Sequence, residues 1–341
     1  MRIPSALVVT SLGFLSFAFA TPAIAQNTNE ISFYGRLHVS GDYLHDGDAG
    51  GLNLSSNASR IGLRGEHRVS DELKLIGQIE RLIQVTDGDA SMSARDTFVG
   101  VQGEWGTVRG GFIDTPVKRI LNMMEQFRDR VGEGRNITRA GEMHFDRRFR
   151  NGIQYLSPVW NDWSFVVHFG AGEDTGASTT TRDDEWSAMV QWRRDAWQVQ
   201  AGYEVQARDE LDDLKAFRSA VVYRGEGWQL GGFLQDASGM TTGDVRVYGV
   251  SGQYRLSDDY ILKGQMFHRD ARDLSNNDGS LLTVGIDKRL SAFATAYVAL
   301  AFADNDETAR VNVSAGGHGK QMTIAPGNDP YAISLGLVWN F

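Results

Sequence analysis

The chain has 341 residues with no cysteine, 39 glycines, 6 prolines and a formal net charge of −9. This acidic balance argues against a nucleic-acid partner, which would need a basic face. No apolar run long enough for a membrane-spanning helix follows the first 25 residues, so a polytopic helical membrane protein is excluded, whereas a transmembrane β-barrel, whose hydrophobicity alternates along each strand, is not.

Residues 1–25 have the features of a cleaved secretory signal peptide. Arg2 supplies a positive charge, an apolar stretch follows, and an A-x-A cleavage pattern ends at Ala25. A membrane anchor, the alternative, needs a longer apolar span and no small-residue end. We therefore expect an exported mature protein that begins at Gln26 and forms one barrel over 26–341. Without cysteine it folds without disulfides.

Alternation of apolar and polar residues dominates the chain after the signal peptide. In Tyr331–Phe341 the odd positions are apolar with aromatics at both ends, and the even positions are mostly small or polar. Sixteen such segments predict β-strands. They lie near 31–40, 59–67, 73–83, 96–102, 107–113, 149–156, 163–170, 186–192, 197–204, 215–223, 228–234, 245–254, 260–267, 281–287, 294–302 and 331–341.

The connections between these segments alternate in length. The short ones carry Gly, Asp, Asn or Ser, which favour tight turns. Short turns at one end and long polar loops at the other predict an up-and-down antiparallel barrel. The predicted long loops are 41–58, 84–95, 114–148, 171–185, 205–214, 235–244, 268–280 and 303–330.

The polar face distinguishes a membrane barrel from a soluble one. A small soluble barrel packs an apolar interior, and side chains such as Arg36, Lys74 and Glu80 are too bulky and charged for it. Every strand can place its apolar face in lipid and its charged face in water. Closure of the barrel pairs all backbone hydrogen-bonding groups between strands. We therefore predict an all-β fold, a 16-stranded antiparallel transmembrane barrel. The aromatics near strand ends, expected to form an interfacial girdle, are Trp163, Trp197, Trp228, Tyr260 and Trp339.

Several segments, in this order behind a signal peptide, resemble the Gram-negative general porins. Ser59–Glu66 followed by Gly77–Glu80 is similar to the second and third strands of that family. Arg95–Gly103 also resembles the family, and Asn151–Pro158 resembles the strand after its constriction loop. The terminal Phe341 matches the C-terminal aromatic by which outer-membrane barrels are recognised for assembly.

The resemblance implies a trimeric outer-membrane barrel that forms a water-filled channel for passive diffusion of small hydrophilic solutes and ions. It places the third external loop inside the lumen, and the 114–148 connection is both third and longest. Within it, Val117–Val131 has neither Gly nor Pro and is compatible with a helix. The implied partners are two further copies of the chain, outer-membrane lipid and lipopolysaccharide, and the barrel-assembly machinery acting on the C-terminal strand.

The resemblance further implies a constriction in which wall arginines face acidic residues of the third loop. Each arginine could instead occupy a solvated position beside a neighbouring carboxylate. Gly111-Phe112 stands where relatives often have Gly-Arg, so one wall charge is missing or has moved, for which Arg109 is a candidate. The basic wall residues are Arg36, Arg60, Arg64, Arg95, Arg148 and Arg150, and the acidic loop residues are Glu125, Asp129 and Glu133.

Local charge, and not the net value, predicts the selectivity of such a pore. Residues 114–150 hold nine basic side chains against six acidic ones. The acidic excess lies in outer loops, for example at Asp209 and Glu210. We therefore expect a mild preference for anions.

No motif predicts an enzyme, a metal site or a cofactor. The seven histidines are scattered, and no cysteine could complete a zinc site. Gly316–Lys320 is similar to a phosphate loop, but Gln321 stands where Ser or Thr is needed. Three alternatives stay open: a substrate-selective channel of the same fold, a secreted β-sandwich, and an outer-membrane hydrolase, for which His67 and His144 lack an evident serine partner.

Overall fold

The computed structural model describes residues 29–88, 92–172, 184–208 and 211–341. The predicted signal peptide and cleavage site, and the acidic residues Asp209 and Glu210, lie outside these residues. Within them, eighteen strands form one continuous antiparallel sheet that closes on itself. No helix in these ranges is both long and apolar enough to cross a bilayer.

The strand and helix boundaries follow the alternation closely. The elements are β1 (Asn29–His45), β2 (Gly50–Ser56), β3 (Arg60–Arg68), β4 (Lys74–Leu82), β5 (Ser93–Ala94), β6 (Thr97–Gly103), β7 (Gly106–Asp114), α1 (Pro116–Asn122), α2 (Arg135–Thr138), β8 (Arg148–Leu156), β9 (Trp163–Gly170), β10 (Glu185–Arg194), β11 (Trp197–Gln206), β12 (Leu214–Gly225), β13 (Trp228–Ser238), β14 (Val245–Arg255), β15 (Tyr260–Ala271), β16 (Gly279–Arg289), β17 (Ala294–Asn305) and β18 (Tyr331–Asn340).

The eighteen segments make sixteen barrel strands, which confirms the predicted fold. β2 and β3 pair with successive parts of β1 and together form the second barrel strand. β5 and β6 both pair with β4 and form the fourth. β1 pairs with β18 from Arg36 opposite Asn340 to His45 opposite Tyr331, and this ladder closes the barrel. Closure leaves no open sheet edge in the bilayer.

Two predicted boundaries are wrong. The expected loop 41–58 is mostly strand, because β1 continues to His45 and β2 begins at Gly50. Its polar residues predict a loop, but Asp42 and Ser55 lie diagonally across the hairpin, with the Ser55 hydroxyl donating to Asp42 Oδ2 at 2.6 Å. The expected helix over 117–131 ends at Asn122, because the following backbone bonds to the barrel wall.

The alternation decides which side chains face lipid and which face the lumen. Leu335 and Val250 are 64% and 62% exposed on the outer face, whereas Ser334 and Gln265 are buried inside. The five predicted girdle aromatics lie at strand ends beside the short turns, and all are exposed. Amphipathic rings at that level suit a membrane interface.

Candidate functional site

Residues 115–147, called loop L3 here, leave β7 and fold into the barrel. The Thr115 hydroxyl accepts a hydrogen bond from the Lys118 amide at 3.3 Å and caps α1, whose first residue is Pro116. The apolar side chains of L3 are buried in the largest hydrophobic cluster of the described residues, so L3 is part of the protein core. They are Val117, Ile120, Leu121, Met124, Phe127, Val131, Ile137, Met143 and Phe145.

Each strand from β10 to β16 offers at least one inward polar side chain to L3. These contacts follow the wall strands in chain order, and all except the Arg218–Asp146 ion pair satisfy L3 backbone groups that a solvent-exposed loop would leave to water. They join Ser187 to Val117, Gln206 to His144, Arg218 to Asp146, Gln235 to Thr138, Ser251 to Met124, and both Gln265 and Thr283 to Gly132.

A second ion pair fixes the middle of L3. Arg130 donates to Asp287 on β16 at 2.5 and 3.2 Å, and its guanidinium lies 3.8 Å from the ring centroid of Tyr297. Lys263 on β15 also reaches Asp287, at 2.6 Å. Two cations on one carboxylate leave a net positive charge at this point of the wall.

Asp129 is the predicted acidic residue that meets the wall arginines. Its Oδ2 lies 3.4 Å from Arg36 and 3.8 Å from Arg60, and its Oδ1 accepts from Arg135 of L3 at 2.8 Å. Burial acts to raise the pKa of Asp129, but four arginines, Arg135, Arg36, Arg128 and Arg60, hold it well below its ordinary value. The carboxylate is therefore ionised; its Oδ2 is buried and, among the described residues, contacts only the two wall arginines, without a hydrogen bond.

Glu125 and Glu133 contact the loop itself and reach no wall arginine among the described residues. Glu125 accepts from the amides of Phe127 and Gly134, at 2.9 and 2.7 Å. Burial, and then the nearby Glu133, raise its pKa to about 7. Glu133 accepts from the Asp129 amide at 2.6 Å and from Arg135. Both residues shape L3.

Three of the predicted wall arginines pair with carboxylates of the wall. Arg95 contacts Glu80 at 2.5 Å, and Arg60 approaches the same carboxylate at 3.7 Å. Arg148 reaches Asp96 at 2.5 Å and Asp114 at 3.1 Å. The sequence pattern placed Glu80 on the inner face of the barrel, but Glu80 and Asp96 were not predicted as partners of the arginines. The inward position of Glu80 in the alternation was the signal that could have identified it.

The other candidates form no hydrogen bond or ion pair with L3 in the described residues. Arg64 is exposed, donates to Gln78 at 2.9 Å and stacks on Tyr34. Arg150 is exposed beside an irregularity in the β7–β8 ladder and forms no ion pair within the described ranges. Arg109 donates to Gln154 at 2.6 Å.

A second segment, residues 306–330 (loop L8 here), also contacts L3, which sequence reasoning missed. The Gly317 amide donates to Glu133 at 2.9 Å, and the Gly319 amide donates to Asn57 at 2.8 Å. His318 Nε2 lies 3.0 Å from Asp42 Oδ2. In this glycine-rich turn, which is similar to a phosphate loop, both amides therefore donate to protein acceptors.

Ser314, His318 and Asp42 form a hydrogen-bonded series that resembles a hydrolytic triad. The Ser314 hydroxyl lies 2.9 Å from His318 Nδ1 and donates to the Lys320 carbonyl at 2.5 Å. All three side chains are buried, and a nucleophile needs access to its substrate. The series thus ties L8 to β1.

Together L3, L8 and the wall enclose a cavity of about 330 Å³, called the constriction cavity here. Its two carboxylates, Asp129 and Asp146, are already paired with arginines. Arg128 and Arg139 form no ion-pair contact in the described part of the chain, and each lies close enough to a carboxylate, Asp129 and Asp146 respectively, to lower its pKa. Six basic side chains line the cavity: Arg95, Lys118, Arg128, Arg135, Arg139 and Arg148.

The chain is similar in sequence to a known family and to known proteins. A family model described as Gram-negative porin matches residues 8–308. Chitoporin of Vibrio furnissii is 33% identical over 145 residues, which are 40% of this chain and only 38% of that protein.

Two solved structures share the fold along almost the whole chain. The anion-selective porin from Comamonas acidovorans has a TM-score of 0.81 at 20% identity, and the comparison covers 92% of this chain and 100% of that one. The trimer form of OmpT from Vibrio cholerae has a TM-score of 0.69 at 17% identity, with coverage of 92% and 100%.

Proposed function

This chain belongs to the Gram-negative porin family, and from that premise we propose that it forms a water-filled outer-membrane channel. Small hydrophilic solutes and ions diffuse through it passively, with a mild preference for anions. The observation that carries the preference is the charge of the constriction cavity, where six basic side chains face two acidic ones.

The barrel size supports a channel. Sixteen strands enclose a lumen wider than side chains alone can fill. L3 and L8 occupy part of that space and set the size limit. Because L3 is bonded to seven successive strands, the limit is a fixed dimension of the protein.

The charge balance supports the preference for anions. Both carboxylates of the constriction cavity are paired with arginines. Arg95, Arg135, Arg148 and Lys118 are paired as well, so the positive potential comes from Arg128 and Arg139, which form no ion pair in the described residues. In a narrow passage with low-dielectric walls such a potential raises the local anion concentration. The related fold in Comamonas acidovorans is named as an anion-selective porin, in agreement with this sign.

We further propose export through cleavage before Gln26, insertion in the outer membrane among lipid and lipopolysaccharide, and assembly as a homotrimer. The trimer form of OmpT, an outer membrane protein of Vibrio cholerae with this fold, supports the last point. Phe341, the proposed signal for the assembly machinery, exchanges backbone hydrogen bonds with Gly35 at 2.9 and 3.0 Å beside the closing ladder. The channel needs no cofactor and performs no chemistry.

Liposome swelling tests the channel. Purified protein in vesicles should admit neutral sugars at rates that fall steeply with sugar size. At matched size, an anionic sugar acid should enter faster than an amino sugar. Absence of sugar flux would contradict the channel, equal rates for both charges would contradict the anion preference, and saturable flux of one sugar would favour a substrate-selective channel instead.

A further inference from the structure

The constriction cavity has the properties of a binding site as well as of a passage. We propose that Arg128 and Arg139 of L3 form a saturable subsite for small divalent oxyanions, of which inorganic phosphate is the simplest. This inference rests on the proposed anion-conducting function and names the class of solute that the constriction retains.

The two arginines are the cations of the cavity that form no ion-pair contact in the described ranges, although Arg128 helps to lower the pKa of Asp129 and Arg139 that of Asp146. Both are half-buried and line it, and neither forms an ion pair within the described residues. Arg128 Nε is buried and has no hydrogen-bond partner. A guanidinium presents several donors in a planar fork that suits the oxygens of a phosphate or carboxylate. A buried donor without a partner is costly, and a bound oxyanion would satisfy it.

The other basic side chains of the cavity supply potential without being available as ligands. Lys118 contacts Asp114 at 2.6 Å, and Arg135 and Arg148 are held by carboxylates of their own. Burial lowers the pKa of Lys118 to about 8; Arg148 and Arg135 lower it as well, and Asp114 opposes them. Burial is the main cause of this low pKa, and the charges of Arg148 and Arg135 add a smaller contribution from positive potential.

Size and rigidity favour a small ligand. A volume of about 330 Å³ lies at the lower end of the range for small-molecule sites. Neutral donors from the wall and L8, namely Ser56, Ser93 and Gln321, complete the lining. Arg128 lies between Met124 and Arg130, which are both bonded to the wall, so its backbone is ordered before an anion arrives.

The charge of the solute decides how long it stays. A divalent anion gains about twice the Coulomb energy of a monovalent one at the same distance. Conduction still requires binding weak enough for release. Chloride should therefore pass with little retention, while phosphate should occupy the subsite for measurable times and exclude chloride.

Single-channel recording in potassium chloride, with inorganic phosphate added slightly above neutral pH, tests the subsite. Phosphate should reduce the chloride current in a saturable manner, with half-block in the millimolar range that weak sites show. Nitrate, a monovalent oxyanion, should not. The double variant Arg128→Gln/Arg139→Gln should raise the half-blocking phosphate concentration about tenfold or more, a change of about 1.4 kcal/mol.

Arg289→Gln is the matched control, since Arg289 ends β16 at a short turn far along the chain from L3 and is exposed. It should leave the block unchanged. Because neither variant breaks an ion pair, both should insert as channels. Block that is equal in wild type and double variant, or block by nitrate alone, would overturn the subsite. Chloride preference without phosphate block would overturn the subsite and leave the proposed function standing, whereas a cation-preferring channel would remove both.

Discussion

The Arg218 guanidinium on β12 donates to both carboxylate oxygens of Asp146 in L3, at 2.8 and 2.9 Å, and neither side chain is more than 1% exposed. Burial acts to raise the pKa of Asp146, but Arg218 holds it below its ordinary value. A bidentate pair away from water fixes both position and orientation. The wall and the last part of L3 therefore form one rigid unit.

Replacing Arg218 by methionine should detach the end of L3. An unpaired Asp146 left in the interior costs about 3–5 kcal/mol, and L3 can relieve this cost by moving toward water while the barrel ladder stays intact. We expect a larger and noisier single-channel conductance and faster proteolysis within L3. Arg246→Met is the control, because the Arg246–Asp236 pair is a third exposed and such pairs contribute about 0–1 kcal/mol. Equal conductance in both variants would contradict the role of Arg218.

Displacing L8 should also widen the constriction. A Cβ added at Gly317 would overlap the Asp129 carboxylate and the Arg135 guanidinium, so Gly317→Val should push the L8 turn away from L3. The conductance should rise, with additional levels as L8 moves. Gly51→Val is the control, because an added Cβ at Gly51 meets nothing within 4 Å. A wild-type current in Gly317→Val would show that L8 does not limit the pore.

Selectivity should depend on pH through two groups of L3. Burial raises the pKa of Glu125 to about 7, and burial lowers the pKa of Lys118 to about 8. As the pH rises through this window, Glu125 gains a negative charge and Lys118 loses a positive one. Both changes reduce the anion preference, so the reversal potential in a salt gradient should shift toward the cation side.

The double variant Glu125→Gln/Lys118→Met removes both titrating groups. It should keep a constant selectivity over the same window. A wild-type selectivity that is flat across the window, or a shift that persists in the double variant, would contradict the assignment.

Substitutions on the lipid-facing side of the barrel should change its free energy of unfolding. Val250 lies in the middle of β14 and is 62% exposed on the outer face. Arginine at the bilayer midplane costs about 2–4 kcal/mol, so Val250→Arg should lower the free energy of unfolding in vesicles by that amount. Gln253→Arg, on the opposite face of the same strand, should change it little. Equal losses would mean that the faces are assigned wrongly.

The barrel was predictable because the sequence pattern that identifies each strand lies within that strand. Period-two alternation is visible strand by strand, as in Tyr331–Phe341, and it predicted all sixteen barrel strands. It failed at 41–58, where the polar residues Asp42 and Ser55 are buried and hydrogen-bonded to each other inside the barrel. Inward polar residues at the external end of a strand are indistinguishable from loop residues by composition alone.

The constriction was less predictable because it depends on contacts between residues far apart in the chain. Alternation along the strand put Arg36 on the inner face, and the family resemblance named Arg60 as a wall residue and Asp129 as one of three acidic candidates on the loop. The alternation tells which face a side chain lies on but not its height along the barrel axis. It therefore did not separate Arg64 from the arginines that lie near L3. The pairing of Arg218 with Asp146, and the contact of Gly317 with Glu133, depend on the paths of L3 and L8, which no local pattern records.

The reversal potential of the reconstituted protein in a potassium chloride gradient tests the central claim most directly. Six basic and two acidic side chains around the constriction cavity predict a potential of the sign set by chloride, reduced in magnitude in Arg128→Gln/Arg139→Gln. A potential of the sign set by potassium, in a channel that inserts and conducts normally, would contradict the proposed function.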